Sequence, residues 1–197
     1  MTNKPFSQAS ENNKVHILPI LQQAFSTADS VLEVGSGTGQ HAVYFAKQLA
    51  HVNWQTSDLP VNHNGINQWI AEYPSNNLQQ PLTLDLSKPW PIEQTSAIYT
   101  ANTLHIISWE LVIAFFEGVK KHLLPKGKLC IYGPFNYQGK FTSESNANFE
   151  LWLKQQNELS GIRDFEAVLR LAEKAGLTLV KDHEMPANNR LLEFVNQ

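Results

Sequence analysis

"LEVGSGTGQ", Leu32–Gln40, decides the fold. It continues the apolar start of "SVLEVG" and runs directly into "HAVYFAKQLA" (41–50). A strand, a glycine turn and a helix therefore follow one another without a break. This is the corner at which α/β proteins hold the polar part of a cofactor. The dinucleotide fingerprint is G-x-G-x-x-G, with a helix N-terminus facing a pyrophosphate. Here the glycines are Gly35, Gly37 and Gly39, Gln40 takes the sixth position, and Glu33 precedes the turn. A carboxylate beside the turn repels a pyrophosphate. It suits a ligand that carries an ammonium or sulfonium group.

Downstream of that corner the chain alternates. "VNWQTSD" (52–58) reads as a second strand, "INQWIAEY" (66–73) as a helix closed by Pro74, and "PLTLDL" (81–86) as a third strand ending near Asp85. "SAIYTANTLHII" (96–107) reads as a fourth strand. "WELVIAFFEGVKKHLL" (109–124) has the apolar stripe of a long helix, which "PKG" stops, and "GKLCIYGP" (127–134) is a fifth strand. "RDFEAVLRLAEKAG" (163–176) is amphipathic, with Gly176 as its stop. "LTLVKDHEM" (177–185) and "RLLEFVN" (190–196) are two strands joined by "PANN", a tight-turn sequence. Alternating strands and helices predict a doubly wound parallel sheet, and the last pair adds an antiparallel strand. Upstream, "VHILPILQQAF" (15–25) has helical spacing around Pro19, and the polar first 14 residues read as partly extended. Residues 135–161 break the rhythm, with one polar helix candidate at 147–159.

The 197 residues predict one domain, with 1–24 as an N-terminal lid or helix and 135–161 as an insertion over the pocket. A formal net charge of −3 gives no electrostatic grip on nucleic acid. Cys130, the only cysteine, lies mid-strand and reads as an inert core residue. The first 14 residues lack a signal-peptide core, and no apolar run approaches the roughly 18 residues of a membrane span. A cytoplasmic protein with no membrane partner is expected. The seven histidines show no metal-ligand spacing and no nucleophile elbow is present, so no metal site is expected.

Asp58 lies 25 residues after Glu33, at a strand end where an acid accepts both ribose hydroxyls of NAD or of S-adenosylmethionine. Asp85 closes the third strand. Three acids with no basic residue among these loops make a poor phosphate site and a good one for an adenosine with a cationic tail.

"VLEVGSGTG", "SDL", "LDL" and the terminal strand pair resemble a class I S-adenosylmethionine-dependent methyltransferase. "ANTLHI", "YGPF", "SNANF", "GIRD" and "MPANN" are similar to a small family whose animal member is methyltransferase-like protein twenty-six. The resemblance covers nearly the whole chain. It implies a seven-stranded sheet of order 3-2-1-4-5-7-6 with strand 7 antiparallel. It implies S-adenosyl-L-methionine as cofactor but supplies no substrate; the small size and the lack of a basic face or a second domain point to a small-molecule substrate of unidentified nature. Cofactor contacts are expected from Glu33, Gly35, Ser36, Gly37, Thr38, Gly39, Asp58, Leu59, Asp85, Leu86 and Asn102. Substrate contacts are expected from Asn12, Lys14, His41, Phe135, Ser145, Asn146, Arg163, Asn188 and Asn189. The chain departs from the family at "ENNK" (11–14), where the family has "ERNK", and at 153–160, which the family fills with arginines.

Several residues carry two readings. Arg163 is a pocket residue or a surface one. Asp164 is an N-cap. "PANN" is a hairpin turn or a pair of asparagines aimed at substrate. His105, at the end of the fourth strand, is a general base titrating near pH 6.5, a helix cap or a wall residue. The chain as a whole is an in-line methyltransferase or a non-catalytic protein that binds the cofactor and regulates a partner. An NAD oxidoreductase is disfavoured by Gln40 and the three acids.

Overall fold

The computed structural model describes residues 4–197. The first three residues of the expected N-terminal lid lie outside the described residues. Helix α1 (Gln8–Ala24) leads into β1 (Ser30–Val34), α2 (Gln40–Gln48), β2 (Asn53–Asp58), α3 (Pro60–Glu72) and β3 (Leu78–Thr83). Then come β4 (Thr95–Ala101), α4 (Trp109–His122), β5 (Leu123–Gly133), the two-residue β6 (Phe135–Asn136) and α5 (Glu144–Gln156). The two-residue β7 (Arg163–Asp164), α6 (Phe165–Lys174), β8 (Leu177–Met185) and β9 (Asn189–Asn196) complete the chain.

Val31–Val34 of β1 are buried, as the middle of a parallel sheet covered on both faces requires. The seven strands run β3-β2-β1-β4-β5-β9-β8. Counted within this sheet alone, the order is 3-2-1-4-5-7-6. The first five strands are parallel, and β9 runs antiparallel to both β5 and β8. One face buries Ile17, Leu21, Phe45, Trp54 and Tyr99 with α1 and α2; the other buries Phe115, Phe116, Val168 and Phe194 with α4 and α6. The strand order reverses between β1 and β4. That switch point opens a crevice at the carboxyl ends of the strands.

The departures from the sequence expectation have local causes. Residues 8–14 are helical rather than extended. Ser7 caps α1 by accepting the Ser10 amide at 3.2 Å, and Asn13, Ile17, Leu21 and Ala24 form one buried stripe. Asn13 is polar, so the stripe is hidden in the sequence. Strand β3 ends at Thr83, which leaves Asp85 in the following turn. Strand β4 ends at Ala101 because Asn102 is left-handed, with φ 54°. "TLHI" is therefore a turn, not strand. Helix α4 stops at His122, before "PKG"; that tripeptide forms an irregularity inside β5, where Lys126 has φ 67°. "PANN" is a hairpin turn with Ala187 and Asn188 both left-handed at φ 57° and 56°, the type I′ pattern. Asp164 stands at the N-cap position of α6 but makes no capping bond, and its buried Oδ1 has no partner among the described residues.

Candidate active site

The glycine turn is cinched onto the end of β2. The amides of Gly35 and Ser36 both donate to the Ser57 carbonyl, at 3.1 and 3.0 Å. The Gly37 amide donates to Asp58 Oδ2 at 2.7 Å. Asp58 Oδ1 accepts the Leu59 amide at 2.7 Å and Asn62 Nδ2 at 2.8 Å, so the carboxylate is fixed in position. Gly35 has φ 75°, and a Cβ there would lie 2.8 Å from Thr103 Oγ1. Only glycine leaves that space clear. Glu33 lies beneath the turn, buried, accepting from Trp54 Nε1 at 3.1 Å and Ser36 Oγ at 2.9 Å. Burial, with Asp58 nearby, pushes its carboxyl pKa up to about 7.

Three adjoining cavities occupy the crevice. A cavity of about 400 Å³ is lined by Glu33, Gly35, Ser36, Gly37, Thr38, His41, Asp58 and Asn102 among others. It shares Gly35, Asp58, Leu59, Thr103 and Ile107 with an apolar slot of about 130 Å³ walled by Val34, Leu84 and Leu86. Asp85 borders the slot, but its carboxylate is engaged by the Ser87 amide and hydroxyl and by Lys88. On the other side, Ser7, Asn102 and Ile106 are shared with a cavity of about 670 Å³. That third cavity collects Asn12, Ser145, Asn146 and Asn189 from three distant segments.

Several expected site residues are not in these walls. Gly39, with φ 91°, faces α3, where an added Cβ would meet the Ile66 backbone at 3.0 Å; its freedom serves helix packing. Lys14 pairs with Glu11 and lies over the Tyr44 ring. Phe135 is buried in the core. Asn188 lines a neighbouring groove and donates to Ser145 Oγ at 3.3 Å. Conversely, Ser7, Asn13, Tyr132, Phe149 and Trp152 line the large cavity though none is among the expected site residues. Asn13, Tyr132 and Phe149 lie in the motifs "ENNK", "YGPF" and "SNANF", whereas Ser7 and Trp152 carry no signal in the sequence.

Gln40 owes its presence to α1. Its Oε1 accepts the Ser7 amide at 2.5 Å, and its Nε2 donates to Glu11 Oε1 at 2.6 Å and to the Ser7 carbonyl at 3.3 Å. The residue that breaks the dinucleotide fingerprint thus ties the glycine turn to the N-terminal helix. Beside it, His41 bonds Asn13 Oδ1 through Nε2 at 2.6 Å, and the Tyr99 hydroxyl bonds Nδ1 at 3.2 Å. Donation from Nε2 and acceptance at Nδ1 describe a neutral imidazole, and burial lowers its pKa to about 4.

The turn after β4 carries His105. Its four successive carbonyls are satisfied from one short segment. Arg163 Nε donates to the Leu104 carbonyl at 2.9 Å, the Gly161 amide to His105 at 2.9 Å, and Ser160 Oγ to Ile106 at 2.6 Å. Arg163 Nη2 donates to the Ile107 carbonyl and, at 3.1 Å, to that of Leu159. Arg163 is therefore spent on the backbone behind His105. The His105 ring borders the large cavity, edge-on to Phe149 at 5.4 Å, and bonds no other described side chain or backbone group. Burial, helped by the Arg163 charge, lowers its pKa to about 4 rather than the expected 6.5. It is neutral at physiological pH.

Residues 4–196 match the family described as "Protein of unknown function (DUF938)". The chain belongs to this family. Its fold is that of known methyltransferases. An O-methyltransferase family protein from Burkholderia thailandensis superposes with a TM-score of 0.85 at 14% identity, over 96% of this chain and 57% of that one. An O-methyltransferase family 2 protein from Planctomyces limnophilus, solved in complex with apigenin, gives 0.85 at 15% identity, over 96% and 58%. PigF, solved with SAH, gives 0.75 at 16% identity, over 86% and 51%. The chain of this DUF938 protein thus spans little more than half the length of these neighbours. Among its described residues no helix is long and apolar enough to cross a membrane.

Proposed function

We propose that this DUF938 protein is an S-adenosylmethionine-dependent methyltransferase acting on a small molecule. The carrying observation is the central cavity. It presents Glu33 and Asp58, no lysine or arginine among the described lining residues, and an apolar slot at one end. That donor set rejects a pyrophosphate and fits an adenosine with a cationic tail. The motifs "GIRD" and "MPANN" support the finer likeness to methyltransferase-like protein twenty-six.

When bound, S-adenosylmethionine supplies an electrophilic methyl group on a sulfonium sulfur. Asp58, whose Oδ1 already accepts from Leu59 and Asn62 and whose Oδ2 accepts from Gly37, would offer its one remaining acceptor site, on Oδ2, to a ribose hydroxyl. Val34, Leu84 and Leu86 take the adenine. Glu33, Ser36 and Asn102 face the amino-acid end, and Asn102 separates it from the large cavity. An acceptor in the large cavity would have to give up a proton to take the methyl group that the bound cofactor would supply. Neutral His105 takes that proton. Alignment supplies the larger share of the acceleration, since oriented reactants reach effective molarities of ~10⁵–10⁸ M.

Calorimetry tests the cofactor. S-adenosylmethionine or S-adenosylhomocysteine binds at micromolar concentration and NAD does not. Asp58→Ala weakens binding by roughly ten- to a hundredfold, the value of a hydrogen bond to a charged group. Tight NAD binding, or no loss in the variant, rejects the assignment. Turnover of labelled cofactor with a metabolite extract then separates an enzyme from a passive binder.

Glu33 gives the binding a pH dependence. A cationic ligand favours the ionised carboxylate, so protonated Glu33 must lose its proton on binding. Affinity for S-adenosylmethionine should rise from pH 5.5 to 7, by up to roughly tenfold per pH unit, and flatten above. Titrations at pH 6 in buffers of different ionisation enthalpy should register proton release. Glu33→Gln should remove both effects, and an unchanged pH slope in that variant would assign them to another group.

A further inference from the structure

The large cavity on the His105 side has two prominent walls, besides the hydroxyl groups of Ser7, Tyr132 and Ser145 and a few aliphatic residues. One wall is aromatic: His105, Phe149 and Trp152, with the Phe149 and Trp152 rings stacked at 5.7 Å and 12°. The other is a set of amides: Asn12, Asn13, Asn102, Asn146 and Asn189. No aspartate, glutamate, lysine or arginine lines it among the described residues.

The free atoms of these amides are fixed by their bonded ones. Asn146 is 5% exposed, and its Nδ2 donates to Thr142 Oγ1 at 3.0 Å and to the Asn188 carbonyl at 3.3 Å. A carbonyl only accepts, so the amide orientation is set and Oδ1 is left as an acceptor without a partner among the described residues. Asn189 Nδ2 is committed to the carbonyls of Pro186 and Ala187, at 3.2 and 3.3 Å, leaving its Oδ1 in the same condition. His105 is also 5% exposed, and its ring has no hydrogen-bond partner among the described residues. Asn12 Oδ1 accepts from Gln8 Nε2 at 2.9 Å and Asn13 Oδ1 from His41 Nε2 at 2.6 Å, so those two amides keep only Nδ2 to offer. The acceptor oxygens a ligand meets here are those of Asn146 and Asn189, beside a neutral imidazole and flat rings.

Resting on the methyltransferase reading, we infer that the acceptor substrate is an uncharged planar aromatic or heteroaromatic compound whose edge carries neutral N–H or O–H donors, with Phe149 and Trp152 against its ring and Asn146 and Asn189 accepting from its edge. A carboxylate offers these oxygens no proton and finds no cation. An ammonium offers protons but finds no counter-charge in a cavity that strips its water.

Four probes of one size test it on the whole chain: 4-hydroxybenzamide, 4-hydroxybenzoate, 4-hydroxybenzylamine and the saturated 4-hydroxycyclohexanecarboxamide. Each is titrated by calorimetry and by quenching of Trp152 fluorescence, with and without saturating S-adenosylhomocysteine; Trp152→Phe assigns the optical signal. The benzamide should bind at least tenfold more tightly than each of the other three, and Asn189→Ala should erase much of that margin. Equal or tighter binding of the benzoate or the benzylamine overturns the uncharged class. Equal binding of the cyclohexane compound overturns the planar one. If S-adenosylhomocysteine binds and none of the four does, the acceptor class is wrong while the methyltransferase reading stands. If S-adenosylhomocysteine itself fails to bind, that reading falls, and the titrations without it still decide the ligand class.

Discussion

Replacing His105 by Gln or Ala should lower kcat by about a hundredfold, with the affinity for S-adenosylmethionine unchanged. Loss of a general base costs ~10²–10⁴ in rate, and the lower end applies here because a weakly basic imidazole has less driving force for taking a proton. The pKa of about 4 also fixes the sign and place of the pH effect. His105 gains its charge only in acid, so the neutral, active form persists down to about pH 5 and its own titration adds no acid limb near 6.5. Wild type should therefore show no inflection from His105 between pH 6 and 9, while any limb seen there belongs to the acceptor or to Glu33. The measurement is kcat against pH once an acceptor is found. A fall below about tenfold in both variants, or a rise in KM alone, would leave His105 as a wall and catalysis as alignment.

Arg163→Met should unfold the region behind His105. It withdraws the donors to the carbonyls of Leu104, Ile107 and Leu159. The bond to Leu159 is exposed, whereas each part-buried acceptor, of Leu104 and Ile107, left without a donor costs about 1–3 kcal/mol. Because Arg163 is half-buried and water reaches part of the gap, a total of about 3–5 kcal/mol is expected. For a domain of this size that corresponds to a fall in Tm of about 6–20 °C. Thermal unfolding measures it. Arg163→Lys should lose nearly as much stability, since a single ammonium cannot span three carbonyls, yet it keeps the charge. The His105 ring pKa, read by NMR, should then rise in the Met variant and hold nearer its wild-type value in the Lys variant. If neither variant is destabilised, the short segment Ser160–Arg163 is not the template of the His105 turn.

The sequence alone determined the parts that depend on local periodicity and on backbone freedom. Buried Leu129–Gly133 is a continuous apolar run, Val31–Val34 is apolar but for Glu33, and Gly35 and Gly37 mark left-handed positions that other residues resist. Together these specify the sheet, its switch point and the cavity beside Glu33 and Asp58. The terminal hairpin followed from "PANN". The beginning of α1 was hidden because Asn13 occupies its buried stripe, and the end of β4 because a left-handed Asn102 leaves no mark in an apolar alternation.

Only the tertiary structure decided which polar residues face the cavities. Arg163 and Lys14 look like ligand-binding cations in the sequence. One is consumed by carbonyls up to 59 positions away and the other by Glu11. Gln40 looked like a missing glycine until α1, 29 to 33 positions away, was laid against it. Asn146 and Asn189 became free acceptors only because their donors met carbonyls of the "PANN" turn. A side chain's type fixes which bonds it can make, and local pattern fixes the element that carries it. Which of those bonds are already taken is set by segments that meet only when the sheet closes, and that remainder is the chemistry offered to a ligand.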